Sequence, residues 1–136
     1  MYLMFTFDGA REFMMDGAKV FEVLPAGEIF QAPRQRKEVL GIIRHRDMLI
    51  PVYDFRLLLP ELFPASSFSP PHLILFYGAE SMNAFLAEAM ESVTADCLMA
   101  DVPLVSPFLE PQEVLHEDRS YARLNFTAIE AFLNIP

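Results

Sequence analysis

The chain has few cysteines, which disulfide bonds require, and few glycines, which phosphate-binding loops require. Its 136 residues include one cysteine, no tryptophan and five glycines. The single Cys97 excludes an internal disulfide and indicates a reducing compartment, the cytoplasm. Five scattered glycines form no phosphate-binding loop. No apolar run approaches the roughly 20 residues of a membrane-spanning helix, and the N-terminus lacks the basic flank of a secretory signal. We therefore expect no direct membrane insertion.

Basic residues are scarce in the second half of the chain. Residues 1–60 carry eight acidic and eight basic side chains, whereas residues 61–136 carry eleven acidic and two basic ones. Five of the eight basic residues of the first half lie between Arg34 and Arg46. An acidic half repels phosphates, so we expect no nucleic-acid partner. A protein partner with complementary patches fits this polarity better.

No set of titratable residues has the spacing of a catalytic or metal site. His45, His72 and His116 lie far apart in the sequence, and none has a second ligand at metal-binding spacing. The serines near residue 67 stand in a proline-rich loop without a histidine or aspartate at hydrolase spacing. We therefore expect no enzymatic activity, no metal and no cofactor.

Apolar residues, phenylalanines and prolines are abundant. Apolar residues make up 53% of the chain, and its 13 phenylalanines are ample for a packed core. Eleven prolines favour many short elements over long helices. The pattern predicts about nine or ten strands and two or three helices, hence a mostly-β domain built as one barrel or two small barrels. The side chains expected in its core are Phe5, Phe7, Leu49, Val52, Leu75, Leu86 and Phe126.

Two charged turns predict hairpins. Asp8-Gly9 separates the runs Tyr2–Phe7 and Arg11–Met15, and Asp-Gly is a strong hairpin signal. The stretch Gly41–Arg56, GIIRHRDMLIPVYDFR, places four charged or titratable residues between two apolar runs. Pro51 lacks a backbone donor, which predicts an edge or a bulge in the second strand of this hairpin.

Helical signals occur at three places. Asp16 is a predicted cap for a short helix over Gly17–Leu24. A capping box at Thr127 predicts a C-terminal helix over Ala128–Asn134. The segment Met82–Glu91 is ambiguous, because its composition favours a helix, whereas its position after a strand and a short turn favours a paired strand.

The stretch GIIRHRDMLIPVYDFR resembles the signature of the CheW-like domain, which reads roughly G-(apolar)₂-N-L-R-G-(apolar)₃-P-(apolar)₂-D-L-R. In this chain Arg44-His45 replaces the Asn-Leu pair, and Asp47 replaces the second glycine. Aspartate tolerates a left-handed turn better than most residues, so the turn is compatible with the change. Further segments extend the resemblance over nearly the whole chain: Tyr2–Phe7, Pro33, Val20–Val23, Ala84–Val93 and the ending LNFTAIEAFL.

The resemblance implies a fold of two intertwined, five-stranded β-barrels with a few short helices. It implies a single domain over residues 1–136, with the crossing between lobes near residues 60–72, and it favours a strand for Met82–Ala89. CheW-like proteins couple chemoreceptors to the histidine kinase CheA without catalytic activity or a cofactor. The implied partners are therefore the regulatory domain of a CheA-type kinase and the cytoplasmic tips of chemoreceptors.

Two alternatives stay open beside coupling in chemotaxis. One is a CheW-like adaptor for a non-flagellar pathway, and the other is a β-barrel sensor that binds a small molecule. We expect Glu22 and Arg46 to come within ion-pair range, and Asp54 to cap the turn that follows it. The residues predicted to form the protein interface are Glu22, Arg44, His45, Arg46, Asp47 and Arg56.

Overall fold

The structure is a computed structural model that describes residues 1–31, 36–64, 67–94 and 96–136. In these ranges it has ten strands, two 3₁₀ helices (Gly17–Lys19 and Phe55–Leu58) and one α-helix. Pro33, which is part of the family resemblance, and Arg34, the first of the clustered basic residues, lie outside the described residues. The strands and the helix are β1 (Tyr2–Thr6), β2 (Glu12–Asp16), β3 (Val20–Pro25), β4 (Val39–His45), β5 (Met48–Tyr53), β6 (His72–Tyr77), β7 (Met82–Val93), β8 (Leu98–Asp101), β9 (Gln112–His116), β10 (Arg119–Tyr121) and α1 (Phe126–Leu133).

The first lobe comprises strands β3 to β7. The first half of β7 pairs antiparallel with β6 and parallel with Val52 and Tyr53 of β5. Beyond these, β3 pairs with β6, and β4 pairs with β5. Pro51 lies outside the β5–β7 pairing, so its missing donor costs no ladder bond there. The lobe closes over a core that contains Ile43, Ile50, Val52, Leu73, Leu75 and Ala84.

The second lobe comprises β1, β2 and the three-stranded sheet β10-β9-β8. The second half of β7 pairs with β1, so this one strand belongs to both lobes. The Met14 amide donates to the carbonyl of Ala122 at 3.0 Å, which joins β2 to the segment after β10. The protein is mostly β and built from two intertwined barrel-like lobes, which confirms the predicted fold class.

An aromatic cluster joins the two lobes. Phe85, on β7, is fully buried and stacks on Phe55 with 4.9 Å between ring centroids. Its ring also contacts Phe5 of β1 and Phe76 of β6, at 5.4 and 5.7 Å. The strand prediction for Met82–Ala89 is confirmed, because pairing with strands on both sides overrides the helical composition of this segment.

Two helix predictions need correction. The predicted helix over Gly17–Leu24 is wrong beyond Lys19, because Val20–Pro25 is a strand paired with β6. The cap itself is confirmed, since the Asp16 carboxylate accepts from the Ala18 amide at 2.9 Å. The C-terminal helix begins two residues earlier than predicted, because the Asn125 side chain caps it by accepting from the Ala128 amide.

The core prediction fails at one position. Leu49 is 72% exposed, whereas Ile50 and Val52 on the same strand are fully buried. Alternate residues of a strand point to opposite faces, so burial of Ile50 and Val52 turns Leu49 outward.

The predicted lobe crossing near residues 60–72 stays a prediction, as does the single domain over residues 1–136. The segment between Leu58 and His72 joins the end of the second 3₁₀ helix to β6.

Candidate functional site

The charged stretch is a tight turn between β4 and β5. Arg46 and Asp47 both have positive φ angles, 48° and 63°, and His45 pairs with Met48 across the hairpin. Two consecutive left-handed residues define a type I′ turn, whose twist matches that of the flanking strands. Aspartate at the second position thus adopts the left-handed conformation expected of it.

Glu22 connects this turn to β3. Its Oε1 atom lies 3.1 Å from Arg46 Nη2, which confirms the predicted ion pair. The same oxygen lies 3.2 Å from His45 Nε2. Glu22 is therefore shared by two neighbouring side chains of the hairpin, and it joins β3 to β4 through side chains.

Aromatic and apolar groups lie beside the charges. The Arg46 guanidinium lies 5.7 Å from the ring centre of Phe21, and Phe21 makes an edge contact with Tyr77. Leu49 projects into solvent directly opposite Arg44 in the hairpin register. Neither Phe21 nor Leu49 was among the predicted interface residues, although the strand alternation around Ile50 would have indicated Leu49.

We call this region the basic hairpin surface. Arg44 and Asp47 are its most exposed charges, and they lie 3.4 Å apart. At 63% side-chain exposure Arg46 is also accessible, whereas His45 and Glu22 are partly covered. The surface consists of Glu22, Arg44, His45, Arg46, Asp47 and Leu49.

Arg56 lies apart from the basic hairpin surface. It follows the end of β5 opposite to the turn, and its guanidinium forms two 3.0 Å hydrogen bonds to the Asp54 carboxylate. It also donates to the carbonyl of Phe68 at 2.8 Å. The Asp54 carboxylate accepts from the Arg56 amide, which confirms its capping role. With 15% of its side chain exposed, Arg56 holds the 3₁₀ helix against the following segment.

Among residues 1–31, 36–64, 67–94 and 96–136, no group of three or more histidine, cysteine, aspartate or glutamate side chains is arranged to hold a metal ion. No described helix is both long and apolar enough to cross a membrane.

Comparison with known proteins identifies the family. The model of the CheW-like domain matches residues 1–95, so the chain belongs to the CheW-like domain family. This is a family of non-catalytic scaffolding and adaptor proteins. The matched residues include the whole basic hairpin surface.

A solved structure shows the same fold. The scaffolding protein TtCheW from Thermoanaerobacter tengcongensis aligns with a TM-score of 0.73 at 16% sequence identity, over 91% of this chain and 88% of that one. No curated protein matches the chain.

Proposed function

We propose that the chain is a cytoplasmic adaptor that binds the regulatory domain of a CheA-type histidine kinase through the basic hairpin surface. The observation that carries this proposal is the geometry of Arg46. It stands at the apex of a type I′ turn, ion-paired to Glu22 and yet largely exposed. Membership in an adaptor family supports the class of function.

The surface has the composition of a protein contact. Leu49 offers an apolar anchor, and the arginines around it offer charge-assisted hydrogen bonds, in line with the enrichment of arginine at interface cores. Glu22 and the Phe21 ring both contact Arg46, which reduces the side-chain freedom that a partner's binding would still remove. Arg44 and Arg46 call for carboxylates on the partner, and Leu49 calls for a recess that holds one aliphatic side chain.

The test is a calorimetric titration with the regulatory domain of a CheA-type kinase from the same genome. We expect micromolar or tighter binding by the wild type, and a loss of about tenfold or more in Arg46→Glu, because the reversed charge meets an acidic partner. Lys37→Glu is the matched control. Lys37 is exposed and lies outside the surface, and its substitution by glutamate changes the charge by the same amount.

Either of two results would contradict the proposal. One is the absence of binding to any such kinase, and the other is equal weakening by Arg46→Glu and Lys37→Glu. Unfolding curves of both variants separate a binding loss from a folding loss. A second titration with the cytoplasmic tip of a chemoreceptor tests whether this chain couples a receptor to the kinase or serves a pathway without receptors.

A further inference from the structure

A cleft lined mainly by apolar residues shares no lining residue with the basic hairpin surface. Its volume is about 330 Å³. Its lining includes the segment 102–105, in which Leu104 and Val105 are each 55% exposed, together with Leu62 and Ala122. We call it the apolar cleft. Its segment 102–105 lies beyond residue 95, where the match to the family model ends.

The apolar cleft opens into a second, polar cleft of about 470 Å³. The two share Arg11, Leu62, Glu113 and Ala122. Charged groups therefore lie at the junction, where apolar lining gives way to a polar opening. A bound molecule with a charged head and an apolar body would fit this division.

Most charges around the junction already have partners. Arg119 is ion-paired with Glu12, and the Asp8 carboxylate accepts from the amides of Ala10 and Arg11 at 2.9 Å. The Ser120 hydroxyl donates to Glu113 at 2.5 Å.

Two charged side chains at the apolar cleft are unpaired. Among the described residues, neither the Arg11 guanidinium nor the Glu110 carboxylate has a hydrogen-bond or ion-pair partner, although both line this cleft. No ion pair joins the two side chains to each other within the described part of the chain. Arg11 is exposed and Glu110 half-buried, so water reaches both in the free protein, and both line one cleft without a protein partner among the described residues.

We propose that the apolar cleft binds a free α-amino acid with an aliphatic side chain. The ligand's carboxylate is held by Arg11, whose guanidinium fork matches carboxylate geometry. Its ammonium group is held by Glu110, with Glu113 nearby, and its side chain lies against Leu104, Val105 and Leu109. The volume stands at the low end of the range of about 300–1,000 Å³ for ligand pockets, which favours a small molecule. This site is independent of the proposed adaptor surface.

The test is a titration with L-leucine followed by amide NMR on the whole chain. We expect saturable shifts at residues 102–105 and at Leu109. Three truncated probes should bind at least about tenfold more weakly, since each leaves a group unmatched. They are 4-methylpentanoate, which lacks the ammonium, 3-methylbutylamine, which lacks the carboxylate, and glycine, which lacks the side chain.

Two variants assign the charges separately. Arg11→Gln should weaken leucine about tenfold and leave 3-methylbutylamine unchanged, because that probe has no carboxylate. Glu110→Gln should weaken leucine and 3-methylbutylamine, and leave 4-methylpentanoate unchanged. Lys37→Gln, which removes an exposed positive charge elsewhere, should have no effect.

Several outcomes would overturn the proposal. These are no saturable shift with leucine, equal binding of the truncated probes, or unchanged leucine affinity in both variants. If the kinase regulatory domain shifts residues 102–105 and leucine does not, the cleft is a protein contact and the proposal fails. If Arg11→Gln disturbs the turn at Asp8, as its amide spectrum would reveal, Glu110→Gln decides the test alone.

Discussion

Two hairpins of this molecule use the same turn and carry opposite charge. His45-Arg46-Asp47 joins β4 to β5, and His116-Glu117-Asp118 joins β9 to β10. The two turn residues have φ angles of 48° and 63° in the first hairpin, and 49° and 62° in the second. Each hairpin is also tied to a neighbouring strand by an arginine–glutamate pair, Arg46–Glu22 in one and Arg119–Glu12 in the other.

The difference lies in the side chain at the apex. With histidine neutral, residues 44–49 carry a net charge of +1, and residues 115–120 carry −1. Since the backbone conformation of the two turns is the same, the turn geometry does not require a basic residue at the apex. The arginine at position 46 is therefore free to serve recognition, whereas the aspartate after it is held by the turn.

The largest loss of stability is expected at β7, the strand that both lobes share, because a change there should affect both hairpins at once. Phe85→Ala removes a fully buried ring that packs on Phe5, Phe55 and Phe76. We expect a loss of about 3–5 kcal/mol in the free energy of unfolding, measured by chemical denaturation. Hydrogen exchange should accelerate in both hairpins together, because their lobes share β7.

Met90→Ala is the control for that substitution. Met90 lies on the same strand and is 49% exposed. Its truncation therefore leaves a much smaller cavity and should lower the free energy of unfolding less. Faster exchange in only one hairpin of Phe85→Ala would show that the lobes unfold independently.

The second prediction concerns the shared turn. Asp47→Val and Asp118→Val each place a β-branched residue at a left-handed position, and each should lower the free energy of unfolding by about 1–2 kcal/mol. Glycine at either position should be neutral or stabilising, because it adopts positive φ without strain. Thermal denaturation of the four variants would test this, and unequal losses for the two valines would mean that the turns are not equivalent.

Sequence reasoning succeeded where short-range chemistry decides the structure. The Asp8-Gly9 turn, the cap at Asp16, the Asp54 cap and the left-handed Asp47 are all set by residues within a few positions. It failed where a distant partner decides. Val20–Pro25 has helical spacing of its apolar residues, yet β6 recruits it as a strand.

The candidate site was predicted in part. The family pattern indicated Arg46 and Glu22, whose ion pair the structure contains. The same pattern included Arg56, whose fork with Asp54 and bond to Phe68 depend on how the segment after residue 58 folds back. Leu49 was missed because an apolar residue in an apolar run was assigned to the core, although the burial of Ile50 and Val52 turns it to solvent.

The smallest effect should come from the two ion pairs, and it separates stability from function. Both arginines are mostly exposed, at 63% and 60% of their side chains. Arg46→Gln should cost about 0–1 kcal/mol of unfolding free energy, as exposed pairs usually do. Arg119→Gln should change stability in the same direction, and added salt should reduce both changes. Binding to the kinase regulatory domain should fall in Arg46→Gln alone, measured by calorimetry beside unfolding curves. If Arg119→Gln weakens binding as much, the acidic hairpin belongs to the interface too, and the charge difference between the hairpins does not select the partner.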